Sequence, residues 1–399
     1  MLLRHFSDVT PETPILEGKS VYSLEPSNQQ VSKMGTGFLC HELYFWHHVG
    51  KAAVYVPAGG MVEPDEHCES PESKRRFRNL LEASGQLDHL VQLKPEPAEI
   101  EDILRFHTRE YLDRVILTSN DSGGDVGEYA ILPAGGYEIA MLAAGGAIQT
   151  TEAVIRGEVD NAYALVRPPG HHAEAEQGRG FCIFGNLVLS AMKAQAAHAV
   201  GRIMTVDWDI HHGNGTQWAF YSNPDVLTIS IHQDGLYPWD SGKMAETGDG
   251  PGAGYNINVP LPPGAGHGAY LAIIERVVLP AAEKYRPDLI LVSSGFDSCA
   301  LDPLGRMMCY SDTYREMTLL LMNCAASVCN GRMVLVHEGG YSPGYVPFCG
   351  LAVMEALSGI DSGHQDPFQP LLANYPGQEL MPHQESVIND ATVLAEKIS

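Results

Sequence analysis

Short apolar runs alternate with longer stretches of helical periodicity along the chain from about residue 137 onward. This alternation is typical of a parallel sheet flanked by helices, because parallel strands need a crossover connection between them. The predicted strands are residues 162–166, 202–209, 226–232, 255–261, 289–296 and 333–338. The predicted helices are residues 137–156, 186–200, 269–285 and 312–329. In such sheets reactive residues gather at the carboxyl ends of the strands.

Residues 1–70 have weak periodicity and are rich in glycine, histidine and aromatic residues, as in Met34-Gly-Thr-Gly-Phe and Leu43-Tyr-Phe-Trp-His-His. We expect this segment to be a long loop over the sheet edge within a single domain that spans residues 1–399. It could close over the rim of an active site or form a subunit interface. The tail after about Gly363 has few clear signals, and its role stays open.

Composition and charge exclude some classes of function. The chain has 399 residues, of which 44% are hydrophobic and 19% charged, enough to bury a large core. Its net charge of -24 opposes binding to nucleic acid, because lysine and arginine supply the affinity for phosphates. An acidic surface can steer cationic substrates towards the protein, although its commoner consequence is solubility.

The N-terminus has no basic region followed by an apolar stretch, and no apolar run is long enough to cross a bilayer. The eight cysteines include no C-x-x-C pair, which favours reduced thiols. We therefore expect a soluble cytoplasmic protein with neither a membrane nor a nucleic acid as partner.

Two segments offer metal ligands. Residues 204–215, Met-Thr-Val-Asp-Trp-Asp-Ile-His-His-Gly-Asn-Gly, place Asp207, Asp209 and His211 on one face of an extended chain. The apolar run of residues 289–296 ends in Asp297, and a buried carboxylate needs a partner for its charge. Asp209, His211 and Asp297 suit a zinc ion that keeps one position open for water and substrate. Taken singly, such residues more often cap loops or form ion pairs.

Two further segments offer proton transfer and oxyanion stabilisation. In Leu165-Val-Arg-Pro-Pro-Gly-His-His, His171 and His172 follow a strand, and proton transfer suits them better than metal binding because three ligands are already present. Two surface histidines are the alternative. Tyr341 follows a strand and a glycine pair, where its phenol could donate to a developing oxyanion. A tyrosine after Gly-Gly is more often a packing residue.

These four segments, in this order and at these separations, resemble the histone deacetylase family, within the wider arginase and deacetylase fold. The resemblance runs from about Ser70 to Gly359. Within the family it points to the class II-like bacterial histone-deacetylase-like amidohydrolases, through Gly180-Phe-Cys-Ile-Phe, His211-His-Gly-Asn-Gly-Thr-Gln and Glu338-Gly-Gly-Tyr-Ser-Pro. It implies a single α/β domain with a central, mostly parallel, eight-stranded sheet flanked by helices. Bacterial members are often oligomers, so it also implies a homo-oligomer.

The resemblance implies the same zinc ligands as the spacing does: Asp209, His211 and Asp297. It further implies that His172 acts as general base and then protonates the leaving amine, while His171 gives electrostatic support. Asp207 would pair with His171, and Asn214 with His172. Class I members carry aspartate at the position of Asn214, so His172 should lose some support for its protonated form.

Several implied residues concern the substrate. Tyr341 matches the tyrosine that helps zinc polarise the scissile carbonyl. Phe181 and Tyr237 match two aromatic walls around the substrate stem, and Tyr237 departs from the usual phenylalanine. Arg76 matches a buried arginine on the exit path of the acid product, with a basic cluster on a surface helix as the alternative. Leu304 stands where polyamine-specific members carry an acidic gatekeeper.

Many relatives also hold potassium ions beneath the zinc. The positions that match a first site are Asp207, Asp209, His211, Ser230 and Ile231. The positions that match a second site are Phe220, Asn223, Val226 and Tyr255. Several of these ligands are backbone carbonyls, so side-chain identity constrains them little.

The sequence therefore predicts a zinc-dependent amidohydrolase that deacylates N-acyl-lysine-type amines, with structural potassium. Acetylpolyamines, aryl amides or small esters are alternative substrates of the same site, and Leu304 argues against the polyamines. A non-catalytic acyl-lysine-binding module is the remaining alternative. A structural zinc site normally has four protein ligands, often cysteines, which opposes this last interpretation.

Overall fold

The fold is built on one fully parallel eight-stranded sheet. The structure is a computed structural model and describes residues 34–398; the predicted loop therefore lies outside the described residues over positions 1–33. The strands are β1 Thr36–Cys40, β2 Val91–Leu93, β3 Asn161–Leu165, β4 Ile203–Asp207, β5 Val226–Gln233, β6 Asn256–Leu261, β7 Leu289–Ser294 and β8 Met333–His337. Their order across the sheet is β6-β5-β4-β7-β8-β3-β1-β2.

Helices cover both faces of this sheet. They are α1 Glu72–Ala83, α2 Ile100–Ile103, α3 Arg109–Asn120, α4 Gly136–Ile155, α5 Asn186–His198, α6 Asn214–Phe220, α7 His267–Ile273, α8 Leu279–Tyr285, α9 Ser311–Val328, α10 Val346–Ser358, α11 Gln369–Leu372 and α12 Pro382–Ala395. Successive strand residues point to opposite faces. Ile290 and Val292 accordingly pack into the core on one side, and Leu289 and Leu291 into the core on the other.

The six strands and four helices predicted from periodicity are all present, with ends that shift by a few residues. The predicted helix 269–285 is α7 and α8 joined by a π-helical turn, Ile274–Val278.

The prediction of a loop over residues 34–70 is wrong at β1, which pairs with β3 over five residues inside the sheet. The strand signal is weak because β1 has only five residues and contains Gly37. A Cβ at Gly37 would lie 3.0 Å from the Ala162 Cβ atom, so the close approach of the two strands requires glycine.

Smaller elements lie in the connections between these strands and helices. Lys51–Ala53, Val56–Pro57 and Asp65–Glu66 form an antiparallel sheet of three strands. Two-stranded ladders join Gly123–Asp125 to Ile131–Pro133 and Gly127–Glu128 to Gly178–Arg179. Single 3₁₀ turns lie at Glu42–Trp46, Gln86–His89 and Gly250–Gly252. None of the helices in residues 34–398 is long and apolar enough to span a membrane.

The C-terminal tail completes the core beside β6. Ile388, Ala391 and Ala395 of α12 are fully buried and belong to the same apolar cluster as Ile257 and Val259 of β6. The tail, whose role the sequence left open, is therefore an integral part of the fold.

We predict that Ile388→Ala lowers the free energy of unfolding by about 2–5 kcal/mol, because it leaves a cavity under α12. Val393→Ala, on the exposed side of the same helix, should change it by no more than about 0.5 kcal/mol. Urea denaturation followed by circular dichroism measures both. Equal effects of the two substitutions would show that α12 does not pack on the core as described.

Candidate active site

The four segments that carry reactive side chains follow four contiguous strands, β4, β7, β8 and β3, in the middle of the sheet. Because all the strands are parallel, their carboxyl ends meet at one edge. The ends of β4 and β7 supply Asp207, Asp209, His211 and Asp297, and the loops after β8 and β3 supply Tyr341 and the histidine pair. The topology therefore brings together residues that are up to 170 positions apart.

Asp209, His211 and Asp297 form a buried cluster whose ligand atoms all lie within 4.8 Å of one another. The Nδ1 atom of His211 is 3.0 Å from Asp209 Oδ1 and 3.0 Å from Asp297 Oδ2. The other oxygens of these carboxylates accept backbone N–H groups, from Gly339 at 2.8 Å and from Ile210 at 2.9 Å. Each carboxylate is thus held by the backbone while one oxygen points to a shared centre.

Glycine lets two backbone segments approach this centre. A Cβ at Gly339 would lie 2.2 Å from Asp297 Oδ2 and 2.6 Å from Asp209 Oδ2. A Cβ at Gly295 would lie 2.2 Å from Asp209 Oδ2. Both positions therefore require glycine for the carboxylates to keep their places.

The two carboxylates and the imidazole perturb one another's pKa because they are buried in contact. Burial and the neighbouring carboxylate of Asp209 raise the pKa of Asp297 to about 6. Burial alone would lower the pKa of His211, but hydrogen bonds and negative charge from Asp209 and Asp297 outweigh the effect of burial. Together they raise the pKa of His211 to about 10. Two carboxylates and one imidazole, converging with backbone support, fit a divalent ion such as zinc with a further coordination position left for substrate.

His171 and His172 are buried beside this cluster, with ring centroids 3.9 Å apart. His171 Nδ1 is 2.9 Å from Asp207 Oδ2, and His172 Nδ1 is 2.7 Å from Asn214 Oδ1. The two pairings implied by the family resemblance are therefore present as contacts.

The two imidazoles differ because their neighbours differ. Burial, reinforced by the positive charges of His171 and His211, lowers the pKa of His172 well below its usual value. His171 is equally buried, but Asp209 and Asp207 raise its pKa well above the usual value. One imidazole is thus held charged, and the other is neutral and able to accept a proton.

A cavity of about 450 Å³ reaches the cluster at His211, and His172 and Tyr341 are also among its lining residues. Phe181, Tyr237 and Leu304 also line it, as do residues 53–56 of the small antiparallel sheet. The ring of Phe181 is 5.8 Å from that of Tyr341, and the ring of Tyr237 is 5.0 Å from that of His172. The three predicted substrate contacts therefore share one largely apolar cavity.

Phe181 holds its place in a left-handed backbone conformation, with φ of 70°. A non-glycine residue with this φ is uncommon, and such strain is often found at functional sites. Gly180 before it is also left-handed, and a Cβ there would lie 2.4 Å from the His172 ring. The aromatic wall is thereby fixed against the histidine pair.

The prediction of a buried arginine at Arg76 is wrong. Arg76 lies on the outer face of α1, with 58% of its side chain exposed and Glu72 as its ion-pair partner at 3.6 Å. The cation of α1 that faces the site is Lys74, whose Nζ lies 5.0 Å from the centre of the Tyr341 ring and 3.3 Å from Glu69. Helical periodicity could have found it, because Lys74 precedes the buried Phe77 by three residues and so shares its face.

The residues matched to potassium sites include Asp209 and His211 of the cluster itself, and residues 226, 230 and 231 of β5. Ser230 is the register partner of Asp207 in the adjacent strand. Of the second set, the carbonyl oxygens of Phe220, Asn223 and Tyr255 accept backbone N–H groups at 2.9 to 3.4 Å. Ion binding at either set stays a prediction.

Sequence reasoning missed three carboxylates that hold the site. Glu338 Oε2 accepts the backbone N–H groups of Gly170 and His171, at 2.7 and 3.0 Å. Asp302 Oδ2 accepts the N–H of Tyr341 at 2.7 Å. Glu174 accepts the side-chain amide of Asn214 at 2.7 Å. Glu338 directly follows the mostly apolar run 333–337, and Asp302 lies five residues after Asp297. An acidic residue next to a buried apolar run was the sequence signal that could have indicated a role for them.

Comparison with known proteins finds relatives of this chain in both sequence and structure. The sequence matches the histone deacetylase domain family over residues 67–357. It is 48% identical to the histone deacetylase-like amidohydrolase of Pseudomonas aeruginosa, covering 84% of this chain and 90% of that one. It is 38% identical to a probable deacetylase of Archaeoglobus fulgidus, covering 74% and 84%. The crystal structure of the HDA15 HD domain superposes with a TM-score of 0.76 at 29% identity, covering 90% and 96%.

We predict that Gly339→Ala abolishes tight zinc binding, because the new methyl group would displace the Asp209 and Asp297 carboxylates. Gly344→Ala is the matched control, since nothing lies within 4 Å of a Cβ there. Elemental analysis after dialysis gives zinc per chain for each variant. A full equivalent of zinc in Gly339→Ala would refute the assignment of the metal centre.

Proposed function

The chain belongs to the histone deacetylase family and is an amidohydrolase of the deacetylase type, and we propose that it hydrolyses N-acyl-lysine-type amides with zinc. The observation that supports this most is the convergence of the Asp209, His211 and Asp297 donors next to a largely apolar cavity that His211 lines, beside a histidine pair whose pKa values are shifted in opposite directions. Potassium at the two matched sets, a homo-oligomeric assembly and a cytoplasmic location remain predictions.

In this proposal Asp209, His211 and Asp297 hold the zinc. When bound, a zinc ion supplies a Lewis acid and lowers the pKa of water enough to give a nucleophile near neutral pH. The protein's part is to keep the carboxylates ionised and aimed, which the backbone N–H groups of Gly339 and Ile210 do.

His172 moves the proton. Its Nδ1 faces the side-chain oxygen of Asn214 and so carries the hydrogen, which leaves Nε2 with a lone pair. Its lowered pKa keeps it neutral, so Nε2 accepts the proton of the attacking water and then gives it to the leaving amine nitrogen. His171, paired with Asp207, contributes a positive charge that favours the negatively charged transition state.

Tyr341 donates a hydrogen bond to the substrate carbonyl oxygen as negative charge develops on it. Burial and the charges of Asp297 and Asp209 raise the pKa of its phenol well above the usual value, so the hydroxyl keeps its proton. Its backbone is anchored by Asp302, and Lys74 lies over its ring. A fixed donor of this kind needs no reorganisation during the reaction.

The cavity fits an apolar stem better than a polycation. The side chains of Phe181, Tyr237 and Leu304 give the cavity an apolar wall that can enclose methylene groups. Among the residues that the structure describes, no carboxylate lines this cavity. This disfavours acetylpolyamines as substrates, and aryl amides and small esters fit the same surface. A set of three protein donors, where a structural zinc site normally has four, and the adjacent histidine pair oppose a non-catalytic binding module.

We predict that His172→Ala lowers kcat on an acetyl-lysine reporter peptide by about 10²–10⁴-fold, because it removes the proton carrier. His89→Ala is the control, since His89 is exposed on the 3₁₀ turn Gln86–His89 and does not line the cavity. A rate in His172→Ala equal to that of the parent, at equal zinc content, would rule out this role.

We also predict a higher kcat/KM for acetyl-lysine peptide than for acetylspermidine. Leu304→Glu should narrow that difference, because it adds a carboxylate to the lining of the cavity. Steady-state kinetics on both substrates measure the ratio. A parent enzyme that prefers acetylspermidine would contradict the proposed substrate class.

A further inference from the structure

Glu174 lies one hydrogen bond beyond the residue that orients the proton carrier. His172 Nδ1 meets Asn214 Oδ1 at 2.7 Å, and Asn214 Nδ2 donates to Glu174 Oε1 at 2.7 Å. Asn214 is fully buried, whereas Glu174 is only partly buried. The three side chains therefore form a line from the reacting imidazole to a carboxylate near the surface.

This line fixes which way the Asn214 amide faces. Its nitrogen has two acceptors, Glu174 Oε1 and the backbone carbonyl of His172 at 3.2 Å, so its oxygen must face His172. The oxygen can only accept, and so the hydrogen of His172 stays on Nδ1. Glu174 thereby helps to choose the tautomer that leaves Nε2 free for the reaction.

Glu174 is itself held in place. Arg179 Nη1 donates to Glu174 Oε1 at 3.0 Å, and Gln177 Nε2 donates to Oε2 at 2.9 Å. Its backbone carbonyl meets the buried His107 at 2.9 Å. Arg179 also binds Glu128 and Asp240, which together outweigh its single positive charge. The neighbourhood of Glu174 therefore remains negative on balance.

We infer that Glu174 is a positioning residue of the proton transfer, which supplies through Asn214 the negative charge that supports His172 while it carries the proton. An asparagine alone can orient an imidazole but cannot balance its positive charge. A carboxylate bonded to the far end of the amide polarises it and strengthens its oxygen as an acceptor. This role rests on the proposed function, because it requires His172 to carry a proton during the reaction.

Glu174→Gln tests the charge while keeping the shape. The oxygen of the new amide can still accept from Asn214 and Arg179. Its nitrogen then faces Gln177, whose own amide can rotate to present an oxygen as the acceptor. We expect about a tenfold lower kcat on the acetyl-lysine peptide, with KM unchanged, because only the protonated state of His172 loses support. Glu176→Gln removes the same charge two positions away on an exposed side chain and should keep the parental kcat. Melting temperature and zinc content verify that each variant is folded and loaded.

The decisive comparison moves the carboxylate from position 174 to position 214, directly beside the His172 imidazole. Asn214→Asp alone sets two carboxylates at the 2.7 Å contact with Glu174 and should be impaired. In Asn214→Asp combined with Glu174→Gln, one carboxylate again serves His172, and kcat should return to within about threefold of the parent.

An unchanged kcat in Glu174→Gln would overturn the role of Glu174. So would a kcat of the Asn214→Asp, Glu174→Gln double variant that does not exceed the kcat of the faster single variant. These outcomes differ from failure of the proposed function. In that case the zinc-loaded parent chain itself would turn over no amide.

Discussion

Three carboxylates, Asp207, Asp209 and Asp297, lie buried at the carboxyl edge of the central strands, and the rest of the site depends on keeping that negative charge in place. A buried carboxylate is costly unless it is hydrogen-bonded and paired with positive charge. Backbone N–H groups supply the hydrogen bonds, and His171 and His211 supply imidazole partners. In the proposed function, a divalent cation held by Asp209, His211 and Asp297 would complete the balance.

The division of labour between the two adjacent histidines follows from the same charge. His171 faces Asp207 and lies near Asp209, which raise its pKa; His172 faces a neutral amide and the positive His171, and its burial lowers its pKa. Neighbouring residues in the sequence thus differ in pKa because one faces the carboxylate of Asp207 and the other the neutral amide of Asn214. Glycines at 180, 295 and 339 allow the backbone to come close enough for these contacts.

Much of the fold and site could be predicted because the informative residues interrupt clear apolar runs. Asp207 ends one strand and Asp297 follows another by three residues, and both strands are mostly β-branched or aliphatic, so each strand and the reactive residue after it are visible. β1 was hidden because it has five residues and needs Gly37 for close packing. The helix α12 was hidden because its mixed composition shows which face is buried only once β6 lies beside it.

The contacts that the sequence did not reveal depend on orientation in three dimensions. Arg76 and Lys74 belong to one run of cations, and only the phase of α1 decides which of them enters the site. Glu174 is ordinary as a sequence feature, and its bond to Asn214 exists because the loop after β3 passes the start of α6.

The most direct measurement is the rate of acetyl-lysine hydrolysis by metal-free protein as zinc is added. A zinc-dependent amidohydrolase built on this cluster should gain its full rate in proportion to bound metal, up to one zinc per chain. Metal-free protein that already hydrolyses at the full rate, or protein with one zinc per chain that hydrolyses no amide, would contradict it.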